Sequence, residues 1–470
     1  MQTRSERDSL GERKIPAEAY YGIQTDRAIE NFAISGLKPK PSYIAATVHI
    51  KKSAAKVNMA LGLLEARKAD AIIRACDQIL RGELQEWFVV DVYQAGAGTS
   101  HNMNANEVIA NRAIELLGGA KGDYSVLHPN DDVNMGQSTN DVCPTAIRIS
   151  AVELTRLLLD SLQEAERAFS EKAQEFNGII KSGRTHLQDA VPLRLGQEFG
   201  AYATCLRKHR GRIQEAADAN KEVGLGGTAV GTGLNAHPNY RPLVVKELSV
   251  ELGYDLSMAE DYFEAMQSLR PFVDLSGAIR CLAQDLIRIA NDLRLLSSGP
   301  KTGLAEIVLP AVQPGSSIMP GKVNPVIAEM LDMVCFQVIG CDTTILLAAQ
   351  AGQLELNVMM PVVAFNLLHE IEILKNALDV FTKRCIAGIM ADKARCQAFA
   401  EASTSLVTVL SPHIGYAEAA DIAKESLASE KSIRQIVLER GLMKEEQLDN
   451  IFEIRKLSEP GIRQVRKSDR

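Results

Sequence analysis

The stretch DLSGAIRCLAQDLIRIANDLRLLS, residues 274–297, repeats its apolar side chains at three- and four-residue steps. Leu275, Ala278, Ile279, Leu282, Leu286, Ile289, Ala290, Leu293 and Leu296 therefore fall on one stripe of an α-helix. Ser297-Ser298-Gly299-Pro300 ends it, because glycine accepts a left-handed cap and proline cannot extend the ladder. A helix this long is uncommon in a small globular domain and suits a bundle of near-parallel helices.

The same period recurs on both sides. A helix is expected to start near Pro144, a good first-turn residue, and to run to about Phe176. Ile147, Ala151, Leu154, Leu158, Leu162, Ala165 and Phe169 form its inner face. Gly196–Glu222, Val326–Ala351 and Val362–Ile389 complete the set. Strand signals are few and short, such as Ile307–Leu309, and there is no internal repeat or low-complexity linker. The expected fold is all-α, in three domains. Residues 1–140 form a mostly helical N-terminal domain, 141–395 a central long-helix bundle and 396–470 a small helical C-terminal domain.

Bulk properties narrow the function classes. The 470 residues are 46% hydrophobic and 24% charged, the balance of an ordinary globular protein with a large core. A net charge of −7 leaves no electrostatic footprint for nucleic acid. The basic run from Arg463 to Arg470 reads as a solvated tail. The polar N-terminus lacks the apolar stretch of a secretory signal, and the eight cysteines form no C-x-x-C pair. Reduced thiols and a cytoplasmic location are expected. Leu331 to Ala351 is the most apolar helix candidate, but Asp332 and Asp342 within it argue against a lipid-crossing span, so no membrane is expected.

Between the helices lie loops rich in small polar residues: Ala95–Asn106, Asn134–Asp141, Lys181–Ala190, Gly224–Asn235 and Pro314–Pro325. Gly315-Ser316-Ser317-Ile318-Met319-Pro320-Gly321-Lys322-Val323-Asn324-Pro325 combines hydroxyls, glycine-freed backbone N–H groups, a cation and an amide. That set suits binding a carboxylate and stabilising negative charge that grows on it. Elsewhere, Gly224-x-Gly226-x-x-Ala229 mimics a dinucleotide fingerprint, but no strand precedes it. His101, His128 and His237 read as loop residues without metal-ligand spacing, so no metal site is expected. Trp87, the only tryptophan, reads as core or interface.

The Gly315–Pro325 loop resembles the signature of the aspartase/fumarase superfamily. Gly96-Ala97-Gly98-Thr99-Ser100 with Asn102-Met103-Asn104 is similar to the superfamily's first active-site segment, Gln137-Ser138-Thr139-Asn140-Asp141 to the next, and Gly183-Arg184-Thr185-His186-Leu187-Gln188-Asp189-Ala190 to the third. The resemblance covers nearly the whole chain. It implies a three-domain, mostly α subunit whose long helices pair in a homotetramer, with active sites where loops of three subunits meet. It also implies a small dicarboxylate as substrate and no cofactor.

Such enzymes eliminate a leaving group across a Cα–Cβ bond to give fumarate through an aci-carboxylate dianion, whose stabilisation is the main catalytic task. By the resemblance, Ser316 takes the Cβ proton, held as an alkoxide by neighbouring donors and Lys322. Thr99, Ser138 and Thr139 hydrogen-bond the β-carboxylate, and Thr185, Lys322 and Asn324 clamp the α-carboxylate. Asn140 and His186 contact the leaving amino group, Glu329 is the acidic partner of His186, and Ser100 and Ser317 also bind substrate. The Gly224–Asn235 segment is implied to be a structural turn near the site.

Within the superfamily, Gly96–Ser100, Gln137–Asn140, Tyr20-Tyr21-Gly22-Ile23-Gln24-Thr25 and Asn291–Pro300 resemble the aspartase branch, which deaminates L-aspartate. His128–Asn134 resembles the fumarase version of its segment, Met360 replaces a glutamate typical of aspartases, and Lys301 stands where arginine is usual. The alternative reading is a class II fumarase acting on L-malate, and a third is a non-catalytic structural protein on the same scaffold.

Overall fold

A computed structural model describes residues 2–429 and 431–461, so the basic run Arg463 to Arg470 lies outside the described residues. In chain order the elements that matter here are β1 (Thr3–Asp8), β2 (Gly11–Pro16), α1 (Ile23–Asn31), α2 (Pro41–Ala60), α3 (Ala66–Leu80), α4 (Thr99–Leu116) and α5 (Thr139–Glu175). Then follow β3 (Ile180–Thr185), β4 (Gln188–Arg194), α6 (Leu195–Asp218), α7 (Tyr240–Leu252), α8 (Tyr262–Gln267), α9 (Arg270–Leu296), α10 (Val326–Gln350) and α11 (Met360–Arg384). The all-α expectation holds, and among the described residues the sheets beside the helices are all two-stranded.

All five long helices expected from periodicity form. The one expected from Pro144 begins five residues earlier, at Thr139. Its start is set by Ser138, whose Oγ accepts the Asn140 N–H at 3.2 Å while the Asp141 carboxylate accepts the Ser138 N–H at 2.9 Å. The helix expected to reach Ile389 stops at Arg384, where a tighter turn follows.

The chain folds into two compact units. The first comprises Met1–Asp160, Gly211–Ala283 and Cys335–Lys375. In it α2, α3 and α4 pack around Val48, Ile72, Ile79, Val108 and Ile109, all fully buried. Glu107, in α4, is buried with them; it accepts the N–H groups of Gly22, Gln24 and Thr25 and so completes the start of α1. Burial pushes its carboxyl up to about 7. Trp87 lies between Tyr20 and Tyr21, with ring centroids 6.0 and 6.1 Å away.

The second unit comprises Ser161–Arg210, Gln284–Val334 and Asn376–Arg470. Phe169, Phe176, Phe199, Tyr202 and Phe381 join α5, α6 and α11 through tilted and edge-on contacts. A separate cluster of Leu406, Leu410, Ile422, Ile433, Ile436, Val437 and Leu448 holds the C-terminal helices together.

α10 is long and apolar enough to cross a membrane by length and composition. Two of its three acids, Asp332 and Asp342, are nonetheless engaged by protein. Asp332 accepts from Arg294 at 2.9 Å, and Asp342 accepts from Ser276 at 3.0 Å and pairs with Arg280 at 2.8 Å. Leu331, Cys335, Val338, Cys341 and Ile345 face inward, while Met333, Phe336, Leu346 and Leu347 are each more than half exposed. A helix with two apolar faces is built to be covered twice.

Candidate active site

In the first unit, the segment expected as a loop from Ala95 to Asn106 becomes helix at Thr99. Sequence reading took Ser100, His101, Asn102, Asn104 and Asn106 for loop residues because they are polar; the structure buries all five in α4. Thr99 heads that helix with its side chain exposed, and Ser100 is buried behind it. Gly98 precedes them at φ +90°, and a Cβ there would meet Cys143 Sγ at 2.8 Å, so only glycine fits the turn. Cys143 is buried against it with its thiol pushed up to about 11, an inert filler.

His101 is therefore no loop residue. Its Nε2 donates to Thr47 Oγ1 at 2.9 Å, because that hydroxyl gives its own proton to the Tyr43 carbonyl. The ring stacks on Tyr43, with centroids 4.2 Å apart, and burial pushes the imidazole down to about 3, so it stays neutral.

Ser138, Thr139 and Asn140 cap α5, half-buried. Thr139 Oγ1 accepts from Asn102 Nδ2 at 3.1 Å, and Asn140 Nδ2 donates to the Ala229 carbonyl at 2.8 Å. Beneath them Asp141 is fully buried, and its Oδ2 accepts the N–H groups of Gly226 (3.0 Å) and Thr228 (2.9 Å). Thus the Gly224–Asn235 segment is a turn pinned to the capping loop. Desolvation raises the Asp141 carboxyl to about 6 against these donors.

Lys51, on α2, escaped sequence reading altogether. Its buried Nζ donates to Asn134 Oδ1 at 2.8 Å and Gln137 Oε1 at 3.0 Å, directly behind Ser138. Burial pushes the amine down to about 7. Below its unfolded value the free chain holds a proton that the folded chain gives up, so stability rises with pH between about 7 and the ordinary lysine range. Lys51→Met should flatten that rise, which has a ceiling of about 1.4 kcal/mol per pH unit, and urea unfolding at pH 7 and pH 9 measures it. A wild-type-like slope in the variant would exclude this role.

In the second unit, the expected loop Lys181–Ala190 is instead most of a β-hairpin, β3 paired antiparallel with β4. Thr185 pairs with Gln188, so His186 and Leu187 form a two-residue turn, both left-handed at φ +57° and +60°. Non-glycine residues hold that geometry at a cost of about 1 kcal/mol or more each, which the hairpin must supply. It is anchored through both ends of β3. The fully buried Glu306 receives Arg184 at 2.9 Å and Lys181 at 3.4 Å. Thr185 and His186 are thereby presented, exposed, on a rigid stem.

The Pro314–Pro325 loop remains a loop. Gly315 N–H donates to the Lys322 carbonyl at 2.8 Å, and Asn324 Nδ2 donates to the Gly315 carbonyl at 2.7 Å. A Cβ on Gly315 would sit 2.6 Å from both Asn324 N and the Lys322 oxygen, so the closure requires glycine. Inside the closed loop, Ser316 Oγ accepts the N–H groups of Ile318 (3.2 Å) and Met319 (2.9 Å). Ser317 and Lys322 are exposed, and Glu329 lies half-buried in the first turn of α10. Among the described residues no hydrogen bond or ion pair joins His186 to Glu329, nor the hairpin tip to Ser316.

Taken by themselves, these segments offer hydroxyls and amides suited to carboxylates, and a serine oxygen that accepts two backbone N–H groups. A family profile described as "Lyase" matches residues 11–340, and one described as "Fumarase C C-terminus" matches residues 406–459. Aspartate ammonia-lyase of Bacillus subtilis is 50% identical over 98% of this chain and 97% of its own, and that of Escherichia coli 48% over 99% and 98%. A fumarate lyase/delta crystallin of Brucella melitensis, solved bound to cobalt, has a TM-score of 0.95 at 50% identity, covering 98% of this chain and 100% of that one. A class II fumarase of Schistosoma mansoni has a TM-score of 0.92 at 38% identity, covering 96% and 98%. Similar along its whole length to these lyases, the chain belongs to the aspartase/fumarase superfamily, in its aspartate ammonia-lyase family.

Proposed function

We propose that this protein reversibly deaminates L-aspartate to fumarate and ammonia, with Ser316 as the base that takes the Cβ proton. The observation that carries the reading is the pair of backbone N–H groups on Ser316 Oγ, inside a loop that only glycine can close. Donors aimed at that oxygen favour its charged form. Lys322 lies six residues on in the same loop; it adds positive charge there and clamps the α-carboxylate with Thr185 and Asn324. Thr99, Ser138 and Thr139 receive the β-carboxylate, where the second negative charge develops; Ser100 and Ser317 complete the substrate contacts. Asn140 and His186 face the leaving amine, and Glu329 of a neighbouring subunit orients His186.

The aspartase branch is favoured over fumarase by relatives near 50% identity against 38%, and by Gly96–Ser100 and Gln137–Asn140. A purely structural role is disfavoured because Ser316, Lys322, Asn324, Thr185 and His186 are all present. Fumarate absorbance measured from L-aspartate, L-malate and argininosuccinate tests the reading; turnover of malate alone would overturn it.

The working form is a cytoplasmic homotetramer with sites shared between subunits. Each subunit is organised as 1–140, 141–395 and 396–470, and the last segment carries its own apolar cluster. The exposed Met333, Phe336, Leu346 and Leu347 on α10 are the surface that subunits cover, while Thr99, Thr185, His186 and Lys322 stand exposed on the single chain. Phe336→Asp places a charge in that face and should yield smaller, folded species by light scattering, with fumarate formation lost. A tetramer of undiminished activity would refute the shared site.

A further inference from the structure

We propose that Cys205, His209 and Asp285 form a binding site for a borderline divalent cation of the zinc or cobalt class, joining α6 to α9. Cys205 and His209 are one helical turn apart on α6, so their side chains share a face. Asp285 projects from α9, and one of its oxygens, Oδ2, lies 3.2 Å from Cys205 Sγ and 2.7 Å from His209 Nε2. Among the described residues this is the one group of three or more His, Cys, Asp or Glu whose ligand atoms all lie within 4.8 Å of one another.

The donor set is a thiolate, an imidazole and a carboxylate, which zinc and cobalt accept together and magnesium or calcium do not. A tetrahedral ion at ordinary bond lengths needs S···O and N···O edges of about 3.6 and 3.3 Å. The observed separations are shorter by a few tenths of an ångström, within side-chain adjustment. All three residues are only partly buried, so an ion can reach them and a solvent molecule can take the fourth position.

The metal-free cluster is a hydrogen-bonded one. The thiol and the imidazole Nε2–H both donate to Asp285, and Arg288 Nε lies 3.3 Å from its other oxygen. Burial and the adjacent carboxylate raise the thiol, so it is protonated without metal. On binding, the thiol proton leaves to solvent, the imidazole proton moves to Nδ1, and Arg288, half exposed, swings clear. No oxidant or co-reactant is involved. The ion's role is to tie two long helices, and none of its three ligands is a residue assigned to elimination.

The test uses full-length, chelator-stripped protein titrated with Co²⁺, because zinc is optically silent. The wild type should develop thiolate-to-cobalt charge-transfer absorption in the near ultraviolet and the intense visible bands of four-coordinate cobalt. Cys205→Ser and His209→Ala should lose both, with circular dichroism and fumarate formation unchanged, whereas Cys281→Ser, at the neighbouring half-buried thiol, should keep them. Zn²⁺ should raise the unfolding midpoint of the wild type and not of Cys205→Ser. The proposal falls if the wild type shows no such absorption, or if Cys205→Ser retains it. Should a variant misfold, Asp285→Asn is the substitute, and undiminished absorption there overturns the site equally.

Discussion

Replacing Ser316 by alanine should lower kcat for fumarate formation from L-aspartate by about a thousandfold, with KM within about threefold of wild type. The proton to be removed sits beside a carboxylate that is already negative, so it is weakly acidic and needs a strong base. A serine hydroxyl becomes one only if its anion is stabilised. Two backbone N–H groups already point at Ser316 Oγ, and a hydrogen bond to a charged acceptor contributes about 1.5–3 kcal/mol, or one to two pKa units each. On the proposed reading, Lys322 adds the rest. Alanine removes the oxygen and leaves the loop closure, which runs through Gly315, Lys322 and Asn324 backbone and amide groups. Binding should therefore survive while proton removal stops. Exchange of the Cβ hydrogen with deuterated water separates the steps: it should vanish in Ser316→Ala. In Thr185→Val, by contrast, a carboxylate contact is lost, so KM rises and exchange persists. Residual activity within about tenfold of wild type would move the base to another residue.

The long helices were legible because burial on one stripe repeats in sequence, and five of them appear within a few residues of their expected bounds. What escaped is what tertiary contacts decide. Nothing in Lys181–Thr185 alternates clearly; the hairpin stands because Lys181 and Arg184 meet Glu306, more than a hundred residues on. Asn102, Asn104 and Asn106 look like a loop until α4 buries them. Lys51 carries no motif at all, and only the fold places its amine on Asn134 and Gln137. Asp141 was nearer to hand. Ser138-x-x-Asp141 has the spacing of a helix-capping box, and applying that pattern would have moved the start of α5 from Pro144 to Thr139. The small polar segments stood out by composition, but their conformations, helix from Thr99 and hairpin through Lys181–Thr185, were not readable from it.

Asp141→Ala should cost about 3–5 kcal/mol of stability, because it strands two buried N–H groups and one half-buried one at once, each buried one worth about 1–3 kcal/mol when left unpaired. The carboxylate accepts from Ser138, Gly226 and Thr228, and so couples the start of α5 to the glycine-rich turn above it. Asp141→Asn separates charge from shape. Its single carbonyl can serve Gly226 and Thr228, but its amide then points an N–H at the Ser138 N–H, so it should recover part of the stability while disturbing the cap that orients Ser138 and Thr139. Burial raises the carboxyl to about 6, above its unfolded value, so the folded chain binds the extra proton between about pH 4 and 6. By that sign, this group alone makes the wild type relatively more stable as pH falls from 6 toward 4, and the asparagine variant should lack the increment. Urea unfolding of the three proteins at pH 4.5 and pH 7.5, with KM for L-aspartate beside it, decides the matter. An alanine variant as stable as the wild type would mean that the turn is held by Arg241, which donates to the Gly226 and Gly231 carbonyls, and not by Asp141.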